Sequence, residues 1–149
     1  MKFITILLYF IFAIMFLAAI GVLIPLTLDI MYNDQNLVKN LNQNLITYFI
    51  AIAVTSSLDY IMKIIDNQVT YRKPVILITC ILNTIVLFMA CQVMYYNVKG
   101  KYLQNIPWQI FVGIIFSFTA WWLVNYNNSN FDPTSSLGGD TSKPLSNGK

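Results

Sequence analysis

Four long apolar stretches, separated by short polar segments, set the pattern of this chain. Residues 3–28, 41–58, 74–98 and 103–131 each contain no charged side chain, and the second stretch runs on past one Asp to Ile65. A helix needs about 20 apolar residues to cross the hydrocarbon core of a bilayer, and every stretch is long enough. The spacing predicts helices over about 3–26, 43–65, 74–97 and 107–126, followed by a polar tail over 127–149. Pro25 is expected to kink or end the first helix. The Asn-, Gln- and Asp-rich segment 29–42 reads as a connection. Pro74 falls in the first turn of the third helix and Pro107 opens the fourth, both positions that proline tolerates. The expected fold is all-α: an integral membrane four-helix bundle with a short C-terminal tail.

Composition sharpens this reading. Of 149 residues, 57% are hydrophobic and 10% charged, whereas a soluble domain carries about 25% charged residues. Too little polar surface exists to cover a water-exposed globule, and no segment outside the four stretches is long enough to build its own core. The first apolar run exceeds a signal-peptide core, and no small-x-small cleavage site follows it, so a retained first helix is expected.

The chain has six acidic residues, all Asp, and no His. A Ser-His-Asp or Cys-His arrangement is therefore impossible, and no zinc site of the usual kinds can be assembled. No enzyme activity, metal or other cofactor is expected. The net charge of +3 is dispersed along the chain, which gives no sign of direct nucleic-acid binding. Cys80 and Cys91 lie in the third stretch, about three helical turns or 16 Å apart. They cannot bridge each other on one straight helix and read as small packing residues.

Lysine and arginine placement predicts orientation. With a cytoplasmic amino terminus, Lys2, Lys63, Arg72, Lys73, Lys143 and Lys149 fall inside, against Lys39, Lys99 and Lys101 outside. Both termini are expected on the cytoplasmic side of the membrane. Tyr95, Tyr96, Tyr102 and Trp108 would then mark one headgroup region, and Trp121, Trp122 and Tyr126 the other.

Several polar positions within the spans are candidate sites. Ser56, Ser57, Asp59 and Lys63 cluster near the end of the second helix. Asp59 and Lys63, four apart, share a face and are placed to pair. An intramembrane ionisable pair reads as a subunit contact or part of an ion path; equally, Lys63 snorkels to the surface with Asp59 as its counter-ion. Asn83 and Gln92 lie on opposite sides of the third helix, so one is expected to face a neighbour within the chain and the other a second subunit. Gly113, Ser117 and Ala120 in the fourth helix, with Ala13, Ala18 and Gly21 in the first, have the small-residue spacing that lets helices approach closely. In the tail, Phe131 and Leu137 are isolated apolar anchors, and Asp132, Pro133, Gly138, Gly139 and Asp140 form turns around them. An ordered tail would dock on a partner; a solvated end is the alternative.

The layout resembles several families of small four-span bacterial proteins: phage-exclusion ion channels, immunity proteins against pore-forming colicins, and the membrane subunit of the Kiwa anti-phage defence system. The last similarity is the one favoured. It rests on chain size, inside termini, the Leu58-Asp59-Tyr60 element and the Phe131-Asp132-Pro133…Leu137-Gly138-Gly139-Asp140 tail. It implies a homo-oligomeric membrane sensor of envelope perturbation that restrains or recruits a cytoplasmic effector. A small ion channel or immunity-type protein is the competing expectation, and a transporter or membrane enzyme a third.

Overall fold

The computed structural model describes residues 2–66, 72–102 and 104–126, and among them every regular element is helical. The first rod is built from α1 (Lys2–Tyr9), a π-helical stretch (Phe10–Leu17) and α2 (Ile20–Met31). It is followed by α3 (Leu37–Asp66), α4 (Arg72–Val98) and α5 (Trp108–Asn125). Four helices, Phe3–Met31, Leu37–Ile65, Lys73–Val98 and Trp108–Asn125, are long and apolar enough to cross a membrane.

Two boundaries differ from the sequence reading. Pro25 does not end the first helix; it lies inside α2, which continues to Met31. Proline removes one main-chain N–H and disturbs one turn, which membrane helices tolerate when neighbours hold them. The connection expected over 29–42 shrinks to five residues, 32–36, because α3 begins at Leu37. Asn40 and Asn42 stay helical because their amides find partners. The Asn40 side chain donates to the carboxylates of Asp29 (3.1 Å) and Asp34 (3.2 Å), and Asp34 accepts from the Asn36 main-chain N–H at 2.9 Å. Asn33, with φ 50°, makes the tight turn before α3. At the far end of α4, Gly100 takes φ 77°, and Lys101 N–H returns to the Tyr96 carbonyl at 3.0 Å. This is the left-handed glycine termination that leaves the last carbonyls satisfied.

Helix α3 is central and packs on α2, α4 and α5. Ile46 and Phe49 of α3 form one core with Val86, Ala90 and Val93 of α4 and Ile110 of α5. A second core joins Ile6 of α1, Ile52 of α3 and Trp121 of α5. The spans alternate in direction. Phe3 meets Trp122 at one end (ring centroids 5.9 Å apart), while at the other the Asn97 side chain donates to the Lys39 carbonyl at 2.9 Å.

The distribution of polarity is the reverse of that in a soluble bundle. Phe88 and Ile115 stand 69% and 65% exposed on the outer surface, while Asn42, Asn97 and Ser117 are fully buried between helices. Apolar outward surface on every span suits a hydrocarbon solvent, in which packing, small side chains and interhelical hydrogen bonds drive association.

Candidate functional site

Three polar or close-packed constellations sit between the helices. The first lies towards the Lys63 end of α3. Ser56 and Ser57 are buried there, and both line a cavity of about 250 Å³ between α3, α4 and α5, together with Tyr60, Thr79, Phe116 and Ala120. The Ser56 hydroxyl has no hydrogen-bond partner. Thr79 and Thr119 turn their hydroxyls back onto the carbonyls of Val75 (2.9 Å) and Ile115 (2.8 Å), so they present mainly methyl groups. Asp59 is exposed. Lys63 donates to the main-chain carbonyl of Val124 on α5. The lysine therefore ties the end of α3 to the end of α5, satisfying one of the carbonyls that a helix terminus leaves unpaired.

The second constellation, at the opposite end, is an amide knot that the sequence reading missed. The Asn42 amide nitrogen on α3 donates to the carbonyls of Tyr102 (3.3 Å) and Asn105 (3.2 Å), with the Asn97 Oδ1 at 3.5 Å. Asn97 in turn holds the Lys39 carbonyl. These contacts fasten the α4–α5 connection onto α3. Lys101 lies 4.4 Å from the Tyr96 ring centroid and 5.8 Å from that of Tyr102, and Lys99 lies 5.5 Å from that of Tyr95. The available signal was that Asn42 and Asn97 fall at the margins of two spans, where amides reach loop carbonyls.

The third constellation joins the first rod to α3 and α5. In the π-helical stretch each N–H reaches back five residues, a rare geometry that often marks a functional position. Here it coincides with a bond from the Tyr48 hydroxyl of α3 to the Ile14 carbonyl at 2.7 Å. Phe10 meets Phe118, Trp121 and Trp122 with centroids 5.2, 5.1 and 5.9 Å away, and Tyr9 stacks on Trp121 at 6.0 Å. Trp121, expected from sequence as a headgroup marker, is thus buried in an aromatic contact between helices; Trp108, Tyr95 and Tyr126 stay exposed.

The remaining candidates separate. Asn83 donates to the Thr79 carbonyl of its own helix at 3.0 Å rather than to another helix, and its Oδ1 is buried without a partner. Gln92 is exposed on the outer side of α4. Gly113, Ser117 and Ala120 lie along α5. Gly113 is pressed against the Phe49 ring, so that a Cβ there would lie 2.7 Å from it. Ser117 is fully buried and donates to Ile114 O at 2.8 Å, and Ala120 lines the cavity. Of the small residues in the first rod, Ala18 and Gly21 line a second cavity, also about 250 Å³, against Asn44, Thr47, Tyr48 and Ala51. Cys80 and Cys91 are free thiols on exposed positions. The tail positions Phe131, Asp132, Pro133, Leu137, Gly138, Gly139 and Asp140, and the turn 67–71, lie outside the described residues.

Compared with protein-family models, with curated proteins and with solved structures, the chain matches none.

Proposed function

We propose that this chain is a multi-pass subunit of a bacterial inner membrane, with both termini in the cytoplasm, that works by binding rather than by catalysis. It forms homo-oligomers, senses disturbance of the envelope, and binds or regulates a cytoplasmic effector. The assignment to anti-phage defence comes from the resemblance to the Kiwa membrane subunit.

The observation that carries this reading is the use of the polar side chains. Asn42 and Asn97 are buried between helices, and their amides donate to main-chain carbonyls of other segments. Lys63 likewise closes on Val124. Groups committed in this way stabilise one packing of the helices. Relocating such bonds in concert is how a packed bundle passes between two arrangements. The exposed Gln92 amide within α4 supports self-association, since an amide in hydrocarbon gains by finding a partner on another helix.

The experiment is co-expression of the chain with the product of an adjacent gene, with and without residues 127–149. Co-purification and phage resistance that both vanish with the tail support the reading. Full partner binding and full protection by the shortened chain refute the tail's part in it.

A second reading, a gated ion path through an oligomer, draws on the partnerless Ser56 hydroxyl and Asn83 carbonyl oxygen. Against it, the cavity beside Ser56 is bounded largely by Ile78, Leu82, Phe116 and Leu123, an apolar lining unsuited to a permanently hydrated pore. Flux through liposomes carrying the purified chain separates the two readings.

A further inference from the structure

We propose that the outer face of α4 is the seam through which two copies of this chain pair, with Gln92 of one copy bonded to Gln92 of the partner subunit inside the hydrocarbon. The pairing deepens the homo-oligomeric reading given above and rests on it.

Helix α4 has two faces. One turns inward, where Val86, Ala90, Val93 and Asn97 are buried against the rest of the chain. The other is uncovered. Ile78, Ile81, Ile85, Phe88, Gln92 and Tyr95 are all exposed, and they alternate in steps of three and four residues. That is the heptad spacing that keeps two helices in contact along their length. Apolar contact alone does not drive association in lipid, because acyl chains are as apolar as the side chains. The amide selects the occupant.

Gln92 lies at hydrocarbon depth. The span Lys73–Val98 has 26 residues, about 39 Å of helix against a core of about 30 Å. Gln92 stands about 10 Å from the midpoint of the span, one turn deeper than Tyr95. Among the described residues it is the one Asn or Gln exposed on a membrane-length helix, and none of them gives its side chain a hydrogen bond. Thr84, on the same side of α4, donates to the Cys80 carbonyl at 2.9 Å and is satisfied.

Three properties favour a second copy as the partner. A primary amide carries both donors and an acceptor, so two of them satisfy each other without a third group. Copies inserted in the same direction hold residue 92 at the same depth, and a two-fold axis along the membrane normal brings like residue to like. One amide in an otherwise apolar seam also fixes its register. Lys99, next in the repeat, lies beyond the end of α4 and 5.5 Å from the Tyr95 ring centroid. At headgroup level, water and salt screen its charge.

The test uses the full chain, in membranes and in detergent. In membranes, single cysteines are oxidised with copper phenanthroline. Cys80, kept alone by Cys91→Ala, is compared with Ile81→Cys in a chain carrying Cys80→Ala and Cys91→Ala. The two positions share one depth and stand about 100° apart around α4. Ile81→Cys should give a disulfide-linked dimer and Cys80 should not, since a bridge needs Cα atoms within about 7 Å. In detergent, energy transfer between differently labelled copies reads the dimer dissociation constant. Gln92→Leu should raise it about 3- to 30-fold, the effect of losing one interhelical bond, with helix content unchanged. Gln92→Asn keeps the amide and should stay closer to the parent chain. An unchanged constant in Gln92→Leu, equal weakening by Gln92→Asn, or crosslinking at Cys80 that matches or exceeds Ile81→Cys overturns this seam and leaves the homo-oligomeric reading standing. A chain that is monomeric at every detergent ratio and uncrosslinked in membranes refutes both.

Discussion

The Tyr48 hydroxyl lies 2.7 Å from the main-chain carbonyl of Ile14, and that carbonyl belongs to the π-helical stretch Phe10–Leu17. One side chain of the central helix therefore meets the first rod where its helical register is altered. Tyr48 also packs into the core around Ile6, Ile52 and Trp121. Tyr48→Phe keeps the ring and removes only the bond. A single interhelical hydrogen bond in a membrane protein contributes about 0.6–2 kcal/mol, so the variant should unfold at a lower denaturant concentration in mixed micelles, with an unfolding free energy reduced by an amount in that range. An unchanged unfolding midpoint would show that the bond does not hold the rod to α3.

Gly113 and Phe49 test the close approach of α3 and α5. Phe49 is fully buried, so its ring has no room to retreat from a Cβ placed 2.7–2.8 Å away. Gly113→Ala should destabilise the bundle by about 1–3 kcal/mol, the range for overpacking a filled core. Combining it with Phe49→Leu should recover part of the loss, a non-additivity expected only of residues in contact. Strict additivity in the double variant would place the clash elsewhere.

Which parts of this arrangement could be read from the sequence depends on the length scale of each signal. The four helices are encoded by runs of apolar residues, a signal averaged over some twenty positions. The α2–α3 boundary depends on single amides. Asn40 and Asn42 look like loop residues until Asp29, Asp34 and the carbonyls of Tyr102 and Asn105 are brought beside them. The small spacing at Gly113 and Ser117 marked a tight helix face in sequence but did not name Phe49 as the neighbour. Asp59 and Lys63 share a helix face as their spacing requires, yet the lysine reaches α5 instead, because a carbonyl at a helix end comes within range only in three dimensions. The π-helical register has no propensity signature and was not legible.

The amide knot should control the α4–α5 connection. Asn42→Leu leaves the Tyr102 and Asn105 carbonyls without this donor and should cost about 0.5–1.5 kcal/mol, the net contribution of an ordinary hydrogen bond. Limited proteolysis reads the local effect. Cleavage between Lys99 and Trp108 should accelerate in the variant and remain slow in the parent chain; equal rates would show that the knot does not hold the connection.

Orientation is tested with single cysteines after Cys80 and Cys91 are changed to alanine. Lys99→Cys should react with a membrane-impermeant maleimide added to intact spheroplasts. Lys73→Cys should react only after permeabilisation. The opposite pattern would place both termini outside the cytoplasm and remove the tail from any cytoplasmic effector.

The most direct measurement of the central claim is partition of the full chain after cell lysis, followed by an alkaline carbonate wash. Surface residues such as Phe88 and Ile115 predict that it remains in the membrane pellet and leaves it only with detergent. Recovery as a monodisperse soluble species without detergent would contradict the account, because that apolar exterior would then have to be stable in water.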